Sequence, residues 1–481
     1  MAANTHVLRP AVNAGYNEHR CIARDVLGLY GSIVTLGTYV STHEAPPLID
    51  VTYKALKHCI AQHAALTRTD DQNTPGSHVH FLADAFSDDH VKAAISLLEI
   101  AHNRPLFEYE QRPQWQLWIA PSVSGSSDQA AKHYQVAFAS SHALAGGMSG
   151  VAFHKTFLQA LHNLKELQYD EGIIFEPPGS VMLPPPQEVA GTLTISWTFL
   201  LGPLVREYCP SWLAQTLGVS QDLTDAGGAA HAWAGASSRP KVQAEGSRLI
   251  KTNVHVVSAP QDVLRRVLDT CRQHGARLTG LLNHLFARAL ASALQAKGQH
   301  FTRFIAETAL DLRRCLPAGK NQMANYVSAV DEVINVGYDQ HPAAEGLSAK
   351  DWKDISETSK KLAQASSTLA DQSVALLKYL SNFREWTSRN AEEPAKAAFG
   401  MSNLGTFSAP AGSDPTWKVS NMIFSQSANG VGTPFDVNVA SAENGDLMIV
   451  ISWCPGMLGV DDERAFVETF CNDVVRHLEL L

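Results

Sequence analysis

Three observations predict an α/β protein built as two matched halves. Strand-patterned and helix-patterned segments alternate along most of the chain. A run holding five prolines, Glu176–Pro186 (EPPGSVMLPPP), interrupts that alternation and cannot sustain regular structure. The same mixed pattern then resumes over a stretch of similar length. At 481 residues the chain has room for two core-bearing units. The boundaries fall at 1–190 for the first unit, 191–245 for a connection or lid, and 246–481 for the second.

In the first unit, Tyr30–Val40 is a strand by its β-branched content. Ile49–Leu66 places Val51, Leu56, Ile60 and Leu66 at helical spacing. His78–Leu82, Trp115–Ala120 and Tyr134–Ser140 read as further strands. A glycine-rich turn follows the last of these. Val151–Leu164 is then a helix that packs on the sheet through Val151, Phe157, Leu158 and Leu161. The longest apolar stretch, Ile195–Val205, is broken by Gly202-Pro203 and falls short of the ~20 residues that span a bilayer. It is expected to be buried or interfacial. Asp225–Pro240 is rich in small residues, as a flexible linker or lid would be.

In the second unit, Arg248–Val257 is a strand, and helices follow near Gln261–His274 and Thr279–Leu294. Phe304–Leu310 and Val327–Val336 are strands, and Lys350–Tyr379 is mainly helical. Val419–Phe424, Phe435–Ser441 and Leu447–Trp453 are strands, with Asn444-Gly445-Asp446 turning between the last two. Asp461–Leu480 closes the chain as a helix capped by Asp461 or Asp462. No repeat of 20–50 residues is visible, which excludes a solenoid.

Composition excludes several classes. With 45% hydrophobic and 18% charged residues the chain is not disordered. Lys plus Arg total 38 against 47 for Asp plus Glu, and no basic run occurs, so a nucleic-acid or anionic-membrane surface is not expected. A local basic pocket for one anionic ligand is compatible with that balance. The seven cysteines (Cys21, Cys59, Cys209, Cys271, Cys315, Cys454 and Cys471) are scattered and form no CxxC pair. That is the usage of a reducing compartment, not of a disulfide scaffold or zinc ribbon. The N-terminal residues lack the apolar core of a secretory signal. A cytoplasmic monomer acting on a small molecule, with no integral membrane segment, is the expectation.

The most informative window is Val136–His154 (VAFASSHALAGGMSGVAFH). A strand delivers His142, and Gly146-Gly147 precede a helix. A histidine there is either a satisfied structural residue or an acid/base. The paired glycines permit close backbone approach to a ligand, and equally suit a tight strand-to-helix turn. Ser149 is a poor nucleophile candidate, because Gly147-Met148-Ser149-Gly150-Val151 lacks the final glycine of a nucleophile elbow. No HExxH, Walker loop, dinucleotide fingerprint or metal-ligand cluster occurs, so no metal is expected.

A strand, His142, three residues and then glycine resembles the HxxxDG motif of the coenzyme A-dependent acyltransferase superfamily. That group includes chloramphenicol acetyltransferase, plant BAHD acyltransferases, peptide-synthetase condensation domains and fungal alcohol acetyltransferases. Thr308–Pro317 (TALDLRRCLP) with Met323–Ser328 (MANYVS) is similar to a block of the alcohol and trichothecene acetyltransferases. Phe399–Phe407 (FGMSNLGTF) resembles their S-N-L-G segment, and Phe424–Gly432 (FSQSANGVG) stands where a DFGWG-like motif occurs. In order and spacing the resemblance covers essentially the whole chain, with the fungal alcohol-acetyltransferase branch nearest. One departure stands out: Gly146 occupies the position of the motif aspartate. In the family that aspartate pairs with an arginine and fixes the loop. Here that arginine, Arg68 or Arg313, would lose its partner.

The resemblance implies two pseudo-duplicated chloramphenicol-acetyltransferase-like α/β-sandwich subdomains with an active-site tunnel between them. It implies transfer of an acyl group from an acyl-coenzyme A, acetyl-coenzyme A above all, to a hydroxyl of a small secondary metabolite. A carrier protein is the alternative donor, and no bound cofactor is implied. His142 would be the general base, and Ser425 would donate to the oxyanion or, equally, be a strand-end serine bonded to its own backbone. Ser141, Gly146 and Gly147 would line the substrate site, with Gln426 and Asn403 on the acceptor side. Tyr326 would face the channel or simply pack, and Asp311 with Arg313 would form a structural ion pair. Two rivals stand beside this reading. One is a donor-independent cyclase or isomerase on the same scaffold, in which loss of the loop-fixing aspartate accompanies a changed reaction. The other is a binding protein in which His142 is structural.

Overall fold

A computed structural model describes residues 14–67, 78–106 (without 85 and 88), 113–122, 131–169, 182–208, 232–236, 239, 250–337 (without 318 and 320), 346–410 and 416–481. Arg68, Cys209, residues 176–181 of the proline-rich run and most of 209–249 lie outside the described residues.

In chain order the first half contributes helix α1 (Tyr16–Val26), strand β1 (Ile33–Ser41), α2 (Leu48–Gln62), β2 (Val79–Phe81), α3 (His90–Asn103), β3 (Trp115–Ser122), β4 (Lys132–Ser140) and α4 (Gly147–His162). Helix α5 (Trp197–Tyr208) lies in the connection. The second half contributes β5 (Asn253–Ala259), α6 (Gln261–Gln273), α7 (Leu278–Gln295), β6 (Arg303–Asp311), β7 (Val327–Asn335), α8 (Ala349–Ala365) and α9 (Phe383–Glu392). It ends with β8 (Phe399–Phe407), β9 (Trp417–Gln426), β10 (Phe435–Ala442), β11 (Leu447–Trp453) and α10 (Glu463–Glu479).

Two mixed sheets result, ordered β2-β3-β4-β1-β9 and β5-β11-β10-β8-β6-β7. Strand β9 comes from the second half yet pairs antiparallel with β1, Val34 facing Ser425 in register, and so completes the first sheet. Helices α2 and α4 cover one face of that sheet, where Phe138 stacks on Phe153 at 4.1 Å. The other face meets α3 and, through Val34, Leu36 and Ile423, the valines of β5 and Met448 and Val450 of β11. The second sheet buries Phe399 and Phe435 against Phe286 of α7 and Phe470 of α10. Strands β10 and β11 are buried along their whole length, β11 as a nearly continuous apolar run and β10 with Asp436, Asn438 and Ser441 among its buried residues.

Several expectations need adjusting. The Lys350–Tyr379 region is α-helical only to Ala365 and ends in a 3₁₀ turn, Ser373–Tyr379. The Ile195–Val205 stretch is an amphipathic helix that runs through Gly202-Pro203, burying Leu200 and exposing Trp197 and Leu201. Phe399–Phe407, noticed only as a motif, is a central parallel strand. Asp462 is the cap of α10, accepting from Ala465 N at 3.0 Å. No described helix is long and apolar enough to cross a membrane.

Helix α4 matters most, because its N-terminus carries the candidate site. It is locked to β1 by His154, whose Nε2 lies 3.1 Å from Thr35 O and whose Nδ1 lies 2.9 Å from Tyr39 Oη. Gly150 allows this approach: a Cβ there would strike the Thr35 side chain. Gly150→Ala should therefore overpack the interface and cost about 1–3 kcal/mol, read as a lowered urea midpoint. An unchanged midpoint would mean that α4 does not seat this closely.

Candidate active site

Strand β4 runs in the middle of the first sheet and releases the chain at Ser140. The next two residues are anchored in opposite ways. Ser141 is spent on structure: its N–H donates to Gln114 O at 2.9 Å and its hydroxyl donates to Asp25 Oδ2 at 2.5 Å. His142 is held by its main chain, its carbonyl accepting from Asn325 Nδ2 at 2.6 Å. Gly146 N donates to Ala324 O at 3.3 Å, and helix α4 starts at Gly147. The turn is thus pinned by residues 324–325 of the second half.

The imidazole of His142 projects into a cavity of about 380 Å³ between the two sheets. Its Nδ1 is buried and makes no well-formed hydrogen bond, which leaves Nε2 as the ring nitrogen open to the cavity. The Tyr30 ring lies 5.6 Å away, centre to centre. Burial drives the imidazole pKa down to about 3; Arg24 and then Arg20 add repulsion, opposed in part by the main chain of His142 and Ala145. His142 is therefore neutral at pH 7.

The cavity head is rich in charge. Besides His142 it presents Arg20, Arg24, Glu307 and Asp436. Glu307 sits deep in the molecule, yet its side chain is open to the cavity, so its accessible surface is interior surface. Burial pushes its carboxyl up, Asp331 adds to that, and Arg20 and Arg24 oppose it. Asp436 is buried and pushed up to about 7, although Thr433 donates to it at 3.0 Å. Asp25, behind Ser141, is likewise raised to about 7 by burial.

Other expected site residues separate. Gln426 does line the cavity, with its Oε1 accepting from Tyr30 Oη at 3.1 Å and its Nε2 donating to Asn438 at 3.0 Å. Ser425 does not. One residue earlier on β9, it points to the opposite face, fully buried, with Oγ 2.8 Å from His102 Nε2. The oxyanion role expected of Ser425 is thereby corrected. Tyr326 packs rather than facing the cavity, donating to Pro185 O at 2.7 Å with the Arg313 guanidinium 5.9 Å above its ring. Asn403 lies in a second cavity of about 280 Å³, beside Thr279, Arg277 and Arg314, and bonds Thr279 at 3.1 Å. Ala309 borders both cavities. Gly147 packs against Leu404 and Phe424, where a Cβ would come within 2.7 and 2.9 Å.

Of the two arginines expected to lose a partner at position 146, Arg68 is outside the described residues and Arg313 has partners. Arg313 Nη1 pairs with Asp311 at 2.8 Å, and Nη2 donates to Ala324 O at 2.7 Å and to Ser149 Oγ at 3.3 Å. Ser149 in turn donates to Ala324 O and accepts from Ala324 N. The expected Asp311–Arg313 pair is present, and Ser149 is a brace, not a nucleophile. Arg20 and Arg24 escaped the sequence reading, which proposed no helix before Tyr30. Their i, i+4 spacing was the available signal. Among the described residues no group of three or more His, Cys, Asp or Glu side chains is placed to hold a metal.

The family described as alcohol acetyltransferase matches residues 71–474. The probable alcohol acetyltransferase FCK4 of Fusarium pseudograminearum is 25% identical over 389 residues, covering 79% of this chain and 74% of that one. The probable alcohol acetyltransferase crmB of Aspergillus fumigatus is 23% identical over 383 residues, 76% of this chain and 72% of its own. Among solved structures, the trichothecene 15-O-acetyltransferase of Fusarium sporotrichioides superposes with a TM-score of 0.63 at 13% identity, covering 97% and 94% of the two chains. The first condensation domain of the calcium-dependent antibiotic synthetase gives 0.56 at 12%, covering 97% and 96%. The fold is thus the pseudo-duplicated chloramphenicol-acetyltransferase-like one.

Two predictions follow from this geometry. In an NMR titration His142 should remain neutral at pH 7 and titrate near 3, and Arg24→Gln should raise that midpoint. A wild-type midpoint near the ordinary ~6.5 would contradict the described environment. Gly146 is the N-cap of α4, with φ −94 and ψ 176 that any residue adopts, and no side chain caps the helix. Gly146→Asp adds a cap and sets a carboxylate near Ala324 O, to which Arg313 already donates. It should raise stability by up to about 1 kcal/mol. A fall in melting temperature would mean that Val327, 3.2 Å from the new Cβ, does not yield.

Proposed function

The chain belongs to the alcohol acetyltransferase family, and on that premise we propose that it transfers an acyl group from a coenzyme A thioester to a hydroxyl of a small secondary metabolite, with His142 as general base. One observation carries the reading: a buried imidazole, its Nδ1 without a hydrogen-bond partner, lines a cavity where the two sheets meet. A neutral imidazole can accept a proton, whereas an imidazolium cannot.

In the proposed reaction the acceptor hydroxyl lies against His142 Nε2 and gives up its proton as its oxygen attacks the thioester carbonyl. The tetrahedral intermediate collapses with cleavage of the carbon–sulfur bond, and the imidazolium returns the proton to the departing sulfur. No acyl-enzyme is required. The second cavity suits the donor. Arg277 and Arg314 are exposed at its rim and pair with no acid among the described residues, so they would meet a nucleotide phosphate. Support for a donor-independent cyclase came from the missing aspartate. The Arg313, Ser149 and Ala324 contacts provide the loop fixing that residue would have supplied.

His142→Ala should reduce acetyl-coenzyme A-dependent ester formation by about 10²–10⁴-fold, with the melting temperature unchanged. Turnover of an acceptor without any acyl donor, or activity untouched by the substitution, would overturn the proposal.

A further inference from the structure

The head of the main cavity carries two positive charges that the protein does not neutralise by contact. Arg20 and Arg24 stand one turn apart on α1, and both line the cavity beside His142. Arg24 is buried, at 7% exposure. Its guanidinium donates to the Cys21 sulfur at 3.2 Å and lies 4.6 Å from the ring centre of Tyr30. The Nε of each arginine is buried without a hydrogen-bond partner. Among the described residues neither arginine forms an ion pair. Like charges at i, i+4 repel, and a buried guanidinium without a partner is costly. A fold that needed only packing here would not be expected to place both.

Among the described residues, neither acid facing the same space forms an ion pair with the two cations, although Glu307 interacts with both at longer range. Asp436 is engaged by Thr433 and protonates readily, and Glu307 is also raised by burial. Both lose charge before an arginine does. The same cavity is also lined by apolar side chains, Val327, Val374, Leu377, Leu380, Trp386 and Met401. The cavity therefore combines two guanidinium groups near the base with a largely apolar lining. Tyr30 links the two head groups, contacting His142 on one side and Arg24 on the other. The anionic group of a ligand would accordingly lie only a few bonds from the atom that reaches His142.

We infer that the acceptor carries a carboxylate close to its reacting hydroxyl, on an apolar body, and that Arg20 and Arg24 grip that carboxylate. The hydroxyl part of this assignment rests on the acyl-transfer reading, whereas the carboxylate part does not. A seated carboxylate would also offset the repulsion that the two arginines exert on an imidazolium at His142. The base would then be strengthened when the acceptor is in place.

The test is calorimetric and needs no turnover. The probes are 3-hydroxydecanoate, its methyl ester and free coenzyme A, titrated into the whole protein. The acid should bind at least 10-fold more tightly than the ester. Arg20→Gln and Arg24→Gln should each bring that ratio close to one while leaving ester affinity unchanged. If Arg24→Gln fails to fold, Arg20→Gln, at a less buried position, decides alone. Equal binding of acid and ester overturns the proposal, as does a ratio that survives the substitutions. Competition between coenzyme A and the acid that disappears in the arginine variants also overturns it, since the arginines would then hold the donor. Adding acetyl-coenzyme A separates the two readings. An acid that binds through the arginines but is never acetylated removes the acyl-transfer reading and leaves the carboxylate site standing.

Discussion

The site depends on one constraint: the turn bearing the candidate base belongs to the first half, but its anchors belong to the second. Asn325 grips the carbonyl of His142, and Ala324 receives the N–H of Gly146. Arg313 then clamps Ala324 O from the far side while leaning on Ser149 of α4. Each contact is an ordinary hydrogen bond, worth about 0.5–1.5 kcal/mol alone. Together they fix a strand-to-helix turn that a glycine pair would otherwise leave loose. The imidazole is thus aimed by residues nearly two hundred positions away in sequence.

Electrostatics follow from the same placement. The turn lies between the two sheets, and burial is the largest influence on His142, Asp25 and Asp436 around it. Histidine is driven toward neutrality, and the carboxyls of Asp25 and Asp436 are driven toward protonation. Arginine alone keeps its charge under such pressure. The cavity head is consequently defined by its guanidinium groups, although the chain as a whole carries a formal charge of −9.

Much of this was legible in the sequence, and the remainder was not for identifiable reasons. Strand β4, the glycine turn and α4 announce themselves because their apolar periodicity changes from two to about 3.6 within a few residues. His142 stands at that change. Helix α1 gave no such signal, because the face it buries includes Asn17, Arg24 and Asp25, and apolar periodicity cannot reveal a polar buried face. Ser425 failed on parity. The motif located the right segment, but adjacent strand residues face opposite sides, and its partner His102 comes from 323 positions earlier. Arg313 was named from sequence, yet that Ser149 and Ala324 would receive it could emerge only from the packing of α4 against the second half.

Strand β9 carries a consequence for biogenesis. Strand β1 is interior to the first sheet only because β9 covers one of its edges, and β9 is made long after β1. Until Trp417–Gln426 leaves the ribosome, Ile33–Ser41 exposes unpaired main-chain donors and acceptors on that side. At about 5–20 residues per second the exposure lasts on the order of tens of seconds. A bare edge of mostly buried-type residues is a template for pairing with other nascent chains. Yield in a heterologous host should therefore be limited by translation speed and chaperone supply more than by the stability of the finished protein.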